Sequence, residues 1–313
     1  MSTAKSTFFL SASSPLLRVS ASSSKPTKSR ATGIAPKLLL YSEIPPWQQE
    51  NEYVLSGYRP TTGSISGCLH GLTYLNNETV STYVHLLGCF VFLLLPVYFH
   101  RGYPDAWLGD SVVITIYSLG VATCFALSAI CHIVWNHSPP VASFANKLDY
   151  LGILVLMWGA SIPTIYYGFW CDPWWRLFYW AIMSIAGYGC ALFTLNPRFA
   201  QPRFRRWRAA VYTCFGLSSA AFVVHGLLVH GWDLQKRRMS LVWMVWMAVF
   251  NIVGVAVYAA RIPERWFPYR FDMFGASHQI FHVAVIVAAV VHFVGLLRAL
   301  EVTHGQLAIC RSD

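Results

Sequence analysis

The sequence predicts an all-α membrane protein: a bundle of seven transmembrane helices with its N-terminus cytosolic and its C-terminus exoplasmic. Composition is the first observation. Of 313 residues, 56% are apolar and only 12% charged, about half the charge a soluble domain uses to coat a water-facing surface. The second is the gathering of apolar residues into seven runs of about 20 residues, the length that crosses a bilayer. The third is the placement of positive charge. When seven spans alternate, sixteen of the 23 Lys and Arg fall on the side holding the N-terminus, and cytosolic loops collect such residues. Without the residues ahead of the first span the balance is nine against seven. The net charge of +10 is therefore read as topological. No basic and aromatic platform outside the spans points to nucleic acid.

Residues 1–40 are Ser-rich and carry Lys5, Arg18, Lys25, Lys28, Arg30 and Lys37, with no acid before Glu43. They read as a disordered basic tail, in preference to a mitochondrial transit peptide of similar composition. Residues 41–78 are mixed and polar, with Pro45-Pro46-Trp47 and Gly57-Tyr58-Arg59-Pro60, and leave room for one short helix at the membrane interface. The spanning domain, 79–300, divides into spans at 79–99, 111–135, 148–168, 174–195, 209–231, 240–260 and 278–299, joined by short loops rich in Pro and Trp. Residues 301–313 form a short exoplasmic tail. Eight Cys occur without any CxxC. Cys89, Cys124, Cys131, Cys190 and Cys214 lie inside apolar runs and read as reduced packing residues, with no disulfide framework. The expected location is a multi-pass position in the plasma membrane or endoplasmic reticulum.

Ionisable side chains inside a span are costly and point by default to a functional site. Ser128 and His132 lie four apart near the end of span two, on one helical face. Asp149 opens span three. His278 and His282, again four apart, open span seven. An even span ends, and an odd span begins, on the side of the N-terminus, so all of these share one leaflet. Three His and one Asp at one depth suggest a zinc site, since three His with one open position is a catalytic zinc set. Zinc lowers the pKa of bound water to about 7, Asp149 could serve as general base, and Ser128 could hold the water or the reacting oxygen. Against this, Asp149 could cap span three and Ser128 could bond its own helix backbone. For His85, His225, His230 and His292 the packing or hydrogen-bonding role is preferred. For His132, His278 and His282 together it is not, because hydrocarbon offers no water to satisfy three imidazoles.

The segment Pro263-Glu264-Arg265-Trp266-Phe267-Pro268, then Phe271-Asp272, Gly275 and Ser277-His278-Gln279-Ile280-Phe281-His282, resembles the last-span signature of the progestin and adipoQ receptor, or haemolysin-III-related, family. Ser128-xxx-His132 and Asp149-Tyr150-x-Gly152 resemble its other motifs, and Glu78-Thr79 with His85-Leu86-Leu87-Gly88 the start of its first span. The likeness runs from about residue 76 to 300 and is closest to the adiponectin-receptor and fungal branch. It implies seven spans with a cytosolic N-terminus, a zinc ion held at His132, His278 and His282, and a zinc water held at Asp149. Ala276 departs from the pattern, because relatives often carry a fourth, non-ligand His there.

Two function classes remain open. One is a zinc-dependent membrane hydrolase acting on a lipid amide such as ceramide, coupled to signalling or to lipid and zinc homeostasis. The other is a receptor or sensor with a structural zinc, no catalysis and an extracellular protein ligand. Asp149 discriminates, since a structural site closes its coordination with protein ligands and needs no base. No span carries a run of charges that would line a pore.

Overall fold

The computed structural model describes residues 37–196, 198–199 and 204–305. Most of the basic tail and the last residues of the chain lie outside them. The described chain is helical, in the order α1 (Ile65–His70), α2 (Thr79–Gly102), α3 (Leu108–Val134), α4 (Pro139–Gly168), α5 (Pro173–Leu195), α6 (Arg205–His230), α7 (Trp232–Arg238), α8 (Leu241–Ala260) and α9 (Ser277–Gly305). Seven of these, all but α1 and α7, are long and apolar enough to span a membrane. Strand pairing among the described residues is limited to one antiparallel bridge, Leu39 with Tyr58.

The outside of the bundle is what a hydrocarbon solvent requires. Ile185, Leu228 and Ile252 are 71%, 79% and 68% exposed, exposures that water would penalise across so many residues. Exposed Trp107, Trp174 and Trp232 mark one rim and Trp266 and Tyr269 the other, as aromatic rings do where bilayer meets water. Inside, Phe92, Tyr117, Phe125, Tyr167 and Phe293 join α2, α3, α4 and α9 in one core. Leu154, Ile165, Met183, Phe215 and Phe222 join α4, α5 and α6 in a second.

Three elements differ from the sequence expectation, each for a physical reason. The helix of span three starts at Pro139, well before the expected 148. Two prolines open it where their missing N–H groups cost nothing, and its first turns carry Lys147 and Asp149, which hydropathy does not count as span. Asp149 is therefore interior to α4 and is not its cap. Secondly, α7 is a short polar helix between spans five and six, too brief and too charged to show in an apolar pattern. Thirdly, Cys171, at the α4–α5 turn, is disulfide-bonded, where the sequence reading expected no disulfide framework. Cys89, Cys124, Cys131, Cys190 and Cys214 are free, as expected.

Two features place the polar residues. The α3–α4 crossing is tight because Gly152 has no side chain: a Cβ there would meet the Cys124 Cα at 3.0 Å. One turn away on each helix stand Asp149 and Ser128. The segment ahead of α1 is also tied down. Ser56 donates to Asp272 at 2.7 Å and Asn51 to Glu264 at 3.0 Å, while Glu264 also accepts from the backbone N–H and hydroxyl of Ser277. Ile44, Val54, Tyr58 and Ala276 form a small apolar cluster beside these bonds. The short helix expected in 41–78 is α1. Ser64 caps it through Gly67 N–H, and its Ile65 and Leu69 are half exposed.

Candidate metal centre

His132 stands in the last turn of α3, His278 in the first turn of α9 and His282 one turn further on. The α-helical period of 3.6 residues puts the latter two on one face. The bundle brings that face against the end of α3. Ring centroids lie 5.2 Å apart for His132 and His278, 4.8 Å for His132 and His282, and 4.5 Å for His278 and His282. One ligand nitrogen from each comes within 4.8 Å of the others, which is room for a single metal ion. The donor chemistry fits. Nε2 of His278 and Nδ1 of His282 are buried without a hydrogen-bond partner, a state that costs about 1–3 kcal/mol per group unless something binds them. Three imidazoles leave a tetrahedral ion one position for water or substrate.

The surroundings orient the rings. His132 Nδ1 lies 2.6 Å from Oε2 of Glu78, the residue immediately before α2. A carboxylate on one ring nitrogen holds the proton there and leaves Nε2 to ligate. Burial pushes the Glu78 carboxyl up, but the His132 hydrogen bond and the nearby His132 and Arg59 charges outweigh it and hold the group below its ordinary range. Arg59 is itself 4% exposed. Its guanidinium donates to the carbonyls of His132 at 2.5 Å and Ile133 at 3.1 Å, satisfying C-terminal groups of α3 that have no partner within the helix. One buried cation thus fixes the helix end that carries a ligand, and its charge supports the carboxylate that orients it.

The expected partners of the centre also converge. Asp149 and Ser128 each stand one turn from the close contact of Gly152 with Cys124, so the α3–α4 crossing sets them on facing helices. Ser128 is buried. His292 lies elsewhere on α9, against the carbonyl of Ala160. His230 pairs with Asp172 at 3.0 Å at the far end of the bundle, and His225 packs there against Trp175. His85 is different. Expected to be a packing residue, it lies against the centre, with its ring parallel to His282 at 3.8 Å between centroids.

Sequence reasoning did not assign Glu78 or Arg59 to the site. The first was noted only as part of a motif and the second only as a topological charge. The leaflet rule that grouped the histidines also covers Glu78, since an odd span begins on the side of the N-terminus.

Comparison with protein families matches residues 73–293 to the haemolysin-III-related family. The chain belongs to that family. It is 36% identical over 261 residues to an adiponectin receptor protein of Drosophila melanogaster, an alignment covering 83% of this chain and 59% of the fly protein. It is 37% identical over 262 residues to the ADIPOR-like receptor IZH1 of Eremothecium gossypii, covering 82% and 83% of the two chains. Against the ADIPOR-like receptor IZH2 of Saccharomyces cerevisiae it is 34% identical over 279 residues, with 88% of each chain covered. The chain spans less than two thirds of the animal relatives, 59% of the fly protein and 64% of a Caenorhabditis elegans progestin and adipoQ receptor-like protein. The Ala276 methyl group packs into the cluster with Ile44, Val54 and Tyr58.

Proposed function

We propose that the chain is a zinc-dependent membrane hydrolase of a lipid amide of the ceramide class, in the plasma membrane or endoplasmic reticulum, with its centre in the cytosolic leaflet. The observation that carries this reading is the convergence of three histidine nitrogens on one point, with Ser128 one turn before His132 and Asp149 across the α3–α4 crossing. A structural site closes its coordination with protein ligands and has no use for a carboxylate within the span beside it. Zinc in such a site would activate water near neutral pH. Asp149 accepts the water proton as oxygen adds to the amide carbon, then gives it to the nitrogen as the C–N bond breaks, releasing a fatty acid and an amine. Ser128 holds the carboxylate toward the centre. Glu78 and Arg59 keep His132 in place throughout.

The orientation, N-terminus cytosolic, draws further support from the disulfide at Cys171. That turn is on the side opposite the N-terminus, and disulfides persist in oxidising compartments.

The relatives are named as receptors, which favours a second reading: a receptor or homeostasis sensor with a structural zinc and an extracellular protein ligand. One experiment separates the two. Purified wild type and Asp149→Asn are loaded with zinc, and metal content and fatty-acid release from ceramide are measured. The variant should keep its zinc and lose about 10²–10⁴ in rate, the contribution of a general base. A His278→Ala/His282→Ala protein should lose the metal, and His292→Ala should not. Wild type with full zinc that releases no fatty acid from any ceramide gives the case to the sensor.

A further inference from the structure

His85 has no structural partner for either nitrogen. The side chain is buried, and both Nδ1 and Nε2 lack a hydrogen bond. It also cannot turn away. One neighbour is the His282 ring, parallel at 3.8 Å, and the other is Phe125, stacked at 4.8 Å. With rings packed on it, the nitrogens can reach out only in the plane of the imidazole. The close approach is built into α2. At Gly88, one turn on, a Cβ would meet Phe125 at 2.8 Å and Ile286 at 3.0 Å, so the missing side chain lets α2 lie against α3 and α9. His85 is outside the group whose nitrogens converge on one ion. It is an imidazole at the wall of the centre with hydrogen-bonding capacity unspent.

We propose that His85 is a substrate-binding residue, whose ring hydrogen-bonds an oxygen of the lipid head group when the lipid amide occupies the centre. Hydrocarbon supplies no water to the outer wall of a span, so a buried imidazole finds its partner in what the site binds. Seven residues along α2 from Glu78, roughly 10 Å at the helical rise, His85 lies on the side of the centre toward the bilayer interior. A lipid whose chains stay in the membrane presents its head group from that side. This inference rests on the hydrolase reading of the same centre, and the test keeps the two apart.

His85→Phe keeps a ring in the stack and removes both nitrogens; His85→Leu does the same without the ring. Zinc content, thermal unfolding and the Kd for two probes, dodecanohydroxamate and a fluorescent short-chain ceramide, are measured in detergent micelles. Both variants should hold zinc as wild type does and bind both probes at least tenfold more weakly, with His85→Gln recovering part of the loss. Binding as tight as wild type in either folded variant would overturn the proposal, the nitrogens then being met by water. Loss of zinc would also overturn it, by making His85 part of the metal's own support. If wild type binds the hydroxamate but neither binds nor hydrolyses ceramide, the ceramide reading fails. His85 is then judged on the hydroxamate alone. If wild type binds neither probe, both fall.

Discussion

A carboxylate behind an imidazole sets which of its nitrogens is free to ligate, so in the proposed zinc centre Glu78 would act on the ion without touching it. Glu78→Gln keeps the shape and one hydrogen bond but removes the charge. Its expected effect is a 10–100-fold loss of zinc affinity, read by competition against a chromogenic chelator, with little change in helical content. An unchanged affinity would mean that His132 is oriented by its packing alone. The residue scale is also where sequence reading was most uneven. His132, His278 and His282 were legible because three imidazoles in hydrocarbon have few innocent explanations and span parity set them at one depth. Glu78 was not, since a lone acid just ahead of a span resembles any helix-terminal residue, and only its contact at 2.6 Å reveals its partner. Arg59 was hidden further, in a polar stretch with nothing in its neighbours to say that it folds back under α3.

At the scale of elements, the pairing of Asp149 with Ser128 depends on how closely α4 crosses α3. Small residues allow membrane helices to approach backbone to backbone, and Gly152 is such a residue at this crossing. Gly152→Ala places a methyl group 3.0 Å from the Cys124 Cα, where no flexible side chain can give way. Overpacking of this kind costs about 1–3 kcal/mol and pushes the helices apart beside the Asp149–Ser128 pair. Thermal unfolding should move down, and fatty-acid release should fall by more than the lost stability explains, with zinc retained. The spans themselves were legible to within a few residues at most ends. The start of α4 was not, because its first turns are too polar to look like membrane, and α7 was not, because a seven-residue helix leaves no periodicity to read.

For the whole molecule, an odd number of spans puts the two termini on opposite sides of the bilayer. The proposed orientation, cytosolic at the N-terminus, rests on the positive-charge count and puts the disulfide-bonded Cys171 on the opposite side. An epitope after Asp313 should be reached by antibody on intact cells if the protein is at the plasma membrane, and one before Ser2 only after permeabilisation. In microsomes the C-terminal epitope should be protected from protease instead. Both epitopes on one side would remove the odd span count and, with it, the common depth of the histidines. The fold class was the most legible feature of all, since bilayer thickness and charge placement constrain a sequence more tightly than any soluble core does.

The bonds of Ser56 to Asp272 and Asn51 to Glu264 join residues more than two hundred positions apart, and this has a consequence for biogenesis. A ribosome delivers the chain in order. At about 5–20 residues per second, His132 leaves it roughly 7–30 s before His278 does. During that interval the nascent protein holds one ligand, an Arg59 and a Glu78 already able to dress it, and an N-terminal segment with nothing yet to fasten to. Only the segment after α8 supplies the acids that tie the N-terminal segment down, and only the last span the other two ligands. Metal capture is therefore a late event in synthesis, and a chain released before its final helix would enter the membrane with most of its spans and no centre. In the proposed zinc centre, retained metal would thus mark a molecule whose last span has been made.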